Sequence, residues 1–416
     1  MRVGVAYILL LLAGIAGFMA LDHHETAAPR LTALTSRLDE SGASAPEIAP
    51  DLVASYAGPG EMRAPRLSGV TPIPSDFDRG RELKPIYERT KSDEGPVGAF
   101  RFICQPGQLN WDDPIVYPGQ PGGSPHLHQW FGNTAANALS TYASLRREGE
   151  STCMGPLNRS AYWMPAMLAD GRTVVRPDYL TVYYKRFPAA APECRDLARA
   201  CLPLPHGLRY IFGYDMLRMG TEQPENTGRM RWKCVTPDNR TLGEPVSRLE
   251  GLVCPPEHLL IVNLAAPDCW DGRNLDSADH RSHMAYPAFD GTSAKARCPA
   301  SHPYLIPQFT LGATWLIRAD DNIATWHLAS DRMPGMPAMP AGSSFHSDWF
   351  GAWDPATLQA WTDNCIDRRL SCVDGNLGDG TGLKHPPAFT LSAAPRVVPL
   401  PPRPAVLRHR HRVSTR

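Results

Sequence analysis

Several common chemical signatures are missing from this 416-residue chain. No two cysteines form a C-x-x-C pair, which argues against a zinc ribbon and a thioredoxin-like site. There is no Walker loop, no G-x-G-x-x-G opening a helix, no G-x-S-x-G elbow and no H-E-x-x-H, so nucleotide-binding, α/β-hydrolase and zincin chemistry have no local support. Net charge is missing too: the formal total is zero, so bulk electrostatics favours no nucleic-acid partner. No internal repeat of solenoid length is apparent.

The zero hides an asymmetry. From residue 387 onward stand Arg396, Arg403, Arg408, Arg410, Arg412 and Arg416 with no acid, which leaves residues 1–386 at about −6. This proline- and arginine-rich stretch, 387–416, reads as a disordered basic tail. At the other end, Arg2 precedes a charge-free run from Val3 to Leu21. Residues 1–21 suit a secretion signal or, by length, an uncleaved membrane anchor; either makes the remainder exported, with a membrane partner only if the segment stays attached. Ten cysteines, an even number, agree with an oxidising compartment. The short loops Cys194 to Cys201 and Cys365 to Cys372 read as local disulfides, and the pairing of the other six stays open.

Residues 22–97 show no sustained periodicity and read as a largely disordered linker, with a short helix near Leu31–Leu38. A single domain over 98–386 follows. Its short runs rich in β-branched and aromatic residues are predicted strands: Phe100–Cys104, Ala161–Leu168, Tyr179–Lys185, Tyr210–Tyr214, Arg229–Val235, Leu259–Leu264, Gln308–Arg318 and Asn322–Leu328. Asn133 is positioned to cap a helix over Ala135–Arg147, and Asp354 with Pro355 a second one burying Leu358, Trp361 and Cys365. The expected class is mainly β, a disulfide-stabilised β-sandwich or jelly roll with long loops and a few short helices.

Titratable side chains gather in three places. His126 and His128 sit two apart behind a Gly/Pro-rich loop and before Trp130, a spacing that puts both rings on one face of an extended segment. Asp268–His283 carries Asp271, Asp276, Asp279, His280 and His283; Asp279 can orient an imidazole, or the aspartates with Asn274 can hold a hard cation, or the loop is simply rigid. His346 and Asp348 are again two apart, ahead of Trp349. The candidate catalytic set is therefore His126, His128, Asp279, His280, His283, His346 and Asp348. Trp130, Asn133, Arg159, Tyr184, Lys185 and Trp349 are candidate substrate contacts, because aromatic faces beside polar groups suit sugars. Loops at one end of a sandwich converge, so ring atoms of His126 or His128 are expected within about 8 Å of His283 or His346. A divalent metal is the possible cofactor.

The segments Asp113-Pro-Ile-Val-Tyr-Pro-Gly-Gln-Pro-Gly, His126-Leu-His128 with Phe131-Gly-Asn133, Ser151-Thr-Cys153, Asn158 to Trp163, Asp268-Cys-Trp-Asp-Gly with Asp279 to His283, and Ser344-Phe-His-Ser-Asp348 with Gly-Ala-Trp-Asp354 resemble the exported DUF1996 family of fungi and bacteria. The resemblance runs from about Phe100 to Gly380. It implies an exported domain with a link to cell-wall polysaccharide, because relatives sometimes carry carbohydrate-binding or WSC modules, and it implies no particular reaction. Three functions stay open: a lyase or metal-assisted hydrolase acting on extracellular glycan, a carbohydrate-binding module, and a structural surface protein.

Overall fold

The computed structural model describes residues 71–404 apart from 88–89, 93–94, 219–222, 224–228, 290–294 and 387–388. The expected signal or anchor and the helix near Leu31–Leu38 lie outside the described residues. Among the described residues no helix is long and apolar enough to cross a membrane.

The fold is mainly β, and twelve strands make the two sheets that matter for the site. They are β1 (Gly98–Cys104), β2 (Leu109–Asn110), β3 (His128–Gly132), β4 (Ala161–Pro165), β5 (Tyr179–Arg186), β6 (Arg209–Gly213), β7 (Met230–Val235), β8 (Thr241–Val246), β9 (Leu259–Ala265), β10 (Gln308–Leu316), β11 (His346–Phe350) and β12 (Ser371–Cys372). One sheet has seven strands in the order β8-β7-β9-β10-β5-β1-β12, the other five in the order β6-β11-β4-β3-β2. Alternation decides what each strand buries: Leu260, Val262 and Leu264 of β9 and Phe309, Leu311, Ala313 and Trp315 of β10 point inward. Across from them stand Tyr162, Phe212 and Trp349 of the five-stranded sheet. Their rings lie 5.6, 5.3 and 5.9 Å from that of Phe309, so the two sheets close a sandwich over one aromatic core.

All ten cysteines are paired, as Cys104–Cys153, Cys194–Cys201, Cys234–Cys254, Cys269–Cys298 and Cys365–Cys372, including both short loops expected. Asp354 caps α2 (Pro355–Trp361) by accepting the Thr357 N–H at 2.9 Å, again as expected.

Four expectations are corrected. The helix α1 covers only Tyr142–Arg147 and is capped by Thr141, with Leu139 left 63% exposed. Asn133 instead donates its amide to the carbonyls of Leu145 and Glu148, bonds that hold this stretch as a loop. Within Asn322–Leu328 there is a short turn, Ile323–Thr325, then a two-residue strand, His327–Leu328, because the polar Asp320–Asn322 segment supplies no alternating face. The linker reading fails for its last part: Leu83–Pro85 pairs with Thr381–Leu383, and Ser75 donates to Asp354 at 2.7 Å. The tail reading fails for its described part, since Val397–Pro399 pairs with Thr173–Val175 and Arg396 is buried against Asp321 at 2.7 Å; residues 405–416 lie outside the described residues. A paired arginine and a backbone ladder outweigh the proline content there.

Candidate metal centre

The period of two that fills the core also builds the site. Tyr162 and Trp349 face the other sheet, so their neighbours on β4 and β11 face away from it. On that outer side Trp130 stands opposite Trp163, and Trp163 opposite Asp348. One step along, His128 stands opposite Pro165, and His346 opposite Gly213. Pro165, on the strand that separates β3 from β11, places no long side chain between the imidazoles, which can therefore lean together. His126 comes down from the loop that precedes β3.

The three rings meet at right angles. Centroids are 4.5 Å apart for His126 and His128, 5.1 Å for His126 and His346, and 6.5 Å for His128 and His346, with interplanar angles of 78°, 90° and 86°. One ring nitrogen from each lies within 4.8 Å of those of the other two. All three residues are buried.

Hydrogen bonds fix which nitrogens converge. His128 Nδ1 donates to the Asp112 carbonyl at 3.0 Å, and His346 Nδ1 donates to the Ser344 carbonyl at 2.8 Å. A carbonyl can only accept, so both Nδ1 atoms carry the hydrogen and both Nε2 atoms keep a lone pair. His126 Nε2 sits 3.0 Å from His128 Nε2, and His126 Nδ1 is buried with no protein partner. The supports are themselves held. Ser344 donates its hydroxyl to Asp331 at 2.6 Å, and Asp112 Oδ1 accepts the Gly122 N–H at 2.7 Å, pinning the Gly/Pro loop. A ring N–H on a backbone carbonyl with the other nitrogen turned inward is the usual second-layer arrangement around a bound metal.

Electrostatics agrees. Burial pushes His128 down to about 4 and His346 down to about 3, and it holds His126 well below the usual histidine range with help from its two neighbours. Neutral imidazoles are the form that ligates metal.

A cavity of about 60 Å³ opens beside His126 and His346, lined on its polar side by Asp113, Asp348, Arg281 and Tyr117. Asp113 Oδ1 accepts the N–H groups of Ile115 and Val116 at 2.8 and 2.9 Å. Burial nevertheless pushes its carboxyl up to about 6. Asp348 Oδ2 is buried without a partner, and burial followed by the charge of Asp113 raises its carboxyl well above the usual range. Two carboxyls held this way share protons rather than both ionising.

Of the candidate residues, His126, His128, His346 and Asp348 come together. Asp279, His280 and His283 do not join them. Asp279 accepts from Ser277 and from the N–H groups of Arg281 and Ser282; His280 bonds Asp276 at 2.8 Å; both nitrogens of His283 are spent on Ser277 and the Arg209 carbonyl. That loop is rigid by its own bonds, and Asp271, with both oxygens on Arg273 and Asn274, is likewise committed. Among the described residues the only group of three or more His, Cys, Asp and Glu side chains that could hold a metal is the histidine triad, so the hard-cation reading of the loop is not assembled.

The substrate contacts are also corrected. Trp130 stacks on Trp163 at 4.4 Å, Trp349 packs against Tyr210 and Phe309, and Tyr184 bonds Tyr162 between the sheets; all three are buried in packing. Arg159 donates to the Arg146 carbonyl, Asn133 serves its loop, and Lys185 is half-buried on the opposite face of β5 from Tyr184. The residues that the spacing arguments missed are Asp113, Arg281 and Tyr117. Asp113 and Tyr117 stand within the quoted motif beginning at Asp113 and Arg281 lies between His280 and His283, so the signal was proximity to named motifs.

The family model described as a domain of unknown function, DUF1996, matches residues 113–353, a span that includes all three histidines and both carboxyls. No curated protein and no solved structure matches the chain.

Proposed function

Since the chain belongs to the DUF1996 family, whose description states no activity, we propose from the geometry that it is an exported transition-metal protein whose ion is held by His126, His128 and His346. The observation that carries this reading is the pair of Nδ1–H bonds to the Asp112 and Ser344 carbonyls, which turn two lone pairs toward the third ring. Around a tetrahedral ion with bonds of about 2.0–2.1 Å, ligand nitrogens sit roughly 3.3 Å apart. The present separations, up to 4.8 Å, need only a small inward movement of the rings. The fit test is equilibrium dialysis of the full chain against Zn(II). One ion per chain is expected, lost in His346→Ala and kept in Asp279→Ala; equal binding by both variants would sink the reading.

The carboxyls of Asp113 and Asp348 favour metal-assisted hydrolysis as the use of this ion over its mere storage. A bound metal supplies Lewis acidity at the cavity. The residues themselves hold a proton at Asp348, leave Asp113 ionised near neutrality and exclude bulk water. Extracellular glycan is the substrate class inferred from the family resemblance. A volume of about 60 Å³ admits a small substituent or a chain end rather than the body of a polysaccharide. Release of product from a panel of substituted cell-wall glycans, abolished by His128→Ala and by Asp113→Asn, is the expected result. No turnover in the metal-loaded protein would leave the binding reading alone standing.

A further inference from the structure

Beside the histidines the chain carries a repeat that the imidazole argument does not use. Arg332-Met-Pro-Gly-Met-Pro-Ala-Met-Pro340 places three methionines three residues apart, each followed by proline. The backbone gathers them. Met336 donates its N–H to the Met333 carbonyl at 3.1 Å, with Pro334 and the positive-φ Gly335 (φ 79°) between, so Met333 and Met336 stand at the two ends of one tight turn. Met339 donates to the Asp331 carbonyl at 2.8 Å, which closes the loop on itself. The anchor of that loop is the same Asp331 that bonds Ser344, the residue whose carbonyl fixes His346.

The three side chains differ in exposure in a graded way. Met333 is 8% exposed and lines the cavity beside His126 and His346, Met339 is half-buried, and Met336 is 44% exposed. Methionine usually fills gaps in cores, a role that suits Met333. It does not account for Met336, which leaves much of its surface in water. Thioether sulfur is a soft, neutral ligand that prefers monovalent copper to zinc, calcium or magnesium.

We propose that the Met333–Met339 loop is a copper(I) entry site, taking the ion from solvent through Met336 and Met339 and passing it by way of Met333 to His126, His128 and His346. The inference rests on the histidine centre as receiver and concerns only its loading with Cu(I); a soft monovalent ion is a weak Lewis acid, so the inference stands apart from the hydrolytic use proposed above. No electron moves in this step; the ion exchanges thioether for imidazole ligands.

The test is anaerobic titration of the metal-free full chain with Cu(I) against a chromophoric chelator, alongside Zn(II) binding. Met→Leu preserves volume, so Met336→Leu/Met339→Leu keeps the fold. The double variant is expected to weaken Cu(I) binding or slow its uptake about tenfold while leaving Zn(II) affinity within about twofold. Unchanged Cu(I) affinity and uptake in the variant would overturn the proposal, as would a wild type that binds Zn(II) and no Cu(I); in both cases the histidine centre stands. If the wild type binds neither ion, both readings fall together. Cu(I) binding that depends on Met336 and Met339 but survives His346→Ala would retain the loop site and overturn the transfer to the histidines.

Discussion

Acid should leave the metal where it is. An ordinary three-histidine site, each ring with a pKa near 6.5, would lose affinity by about 10⁴-fold between neutrality and pH 5, because three protons compete with one ion. Here burial holds His128 at about 4 and His346 at about 3, with His126 lowered in the same direction. At pH 5 these two rings are still neutral to within about a tenth, so proton competition costs almost nothing. The carboxyl of Asp113, raised to about 6, becomes protonated over the same interval and removes a charge beside the ion, a loss of about tenfold. Measured by chelator competition, Zn(II) affinity should therefore fall by about tenfold from pH 7 to pH 5 and drop steeply only near pH 4. A fall of a thousandfold or more by pH 5 would show that the rings are not desolvated as described. Thermal stability is the poorer readout, because the signs oppose. Histidines with lowered pKa values contribute stability above 6.5 that is lost as the pH falls toward 4, whereas Asp113 destabilises the fold as the pH rises from 3.8 through 6.

Replacing His283 by Ala removes bonds to Ser277 and the Arg209 carbonyl inside a packed loop; a loss of about 2 kcal/mol by urea unfolding is expected, with metal stoichiometry unchanged. Arg396→Ala leaves Asp178 and Asp321 without their buried partner and should cost about 3 kcal/mol, which would be contradicted by a denaturation midpoint equal to wild type. Thiol titration of the unreduced, denatured chain should find none, since all ten cysteines are bridged.

What could be read beforehand follows from how local each cause is. Alternation in Leu259–Ala265 and the Asp354–Pro355 start of α2 are decided within a few residues, and both are present. The helix over Ala135–Arg147 failed because Asn133 reaches the carbonyls at its far end, a contact twelve and fifteen residues away. Spacing of two brought out His126 with His128 and His346 with Asp348, since a strand puts such pairs on one face. That same rule separates Trp349 from Asp348: adjacent residues must face opposite ways, so the tryptophan enters the core when the carboxyl enters the cavity. Which loops would supply the remaining walls, Asp113 from one side and Arg281 from another, depends on long-range pairing that no spacing encodes. His280 is held by Asp276 and His283 by Ser277 and the distant Arg209 carbonyl, whereas His346 spends one nitrogen on the Ser344 carbonyl and turns the other toward the site.

The central claim is that three imidazoles surround one ion. Anomalous diffraction from crystals of the full chain soaked with Zn(II), collected at the metal edge, tests it most directly. The account predicts a single peak with the nitrogens of His126, His128 and His346 at about 2.0–2.1 Å. A peak elsewhere, such as on the Asp271–His283 loop, or no peak at occupancy, would contradict it.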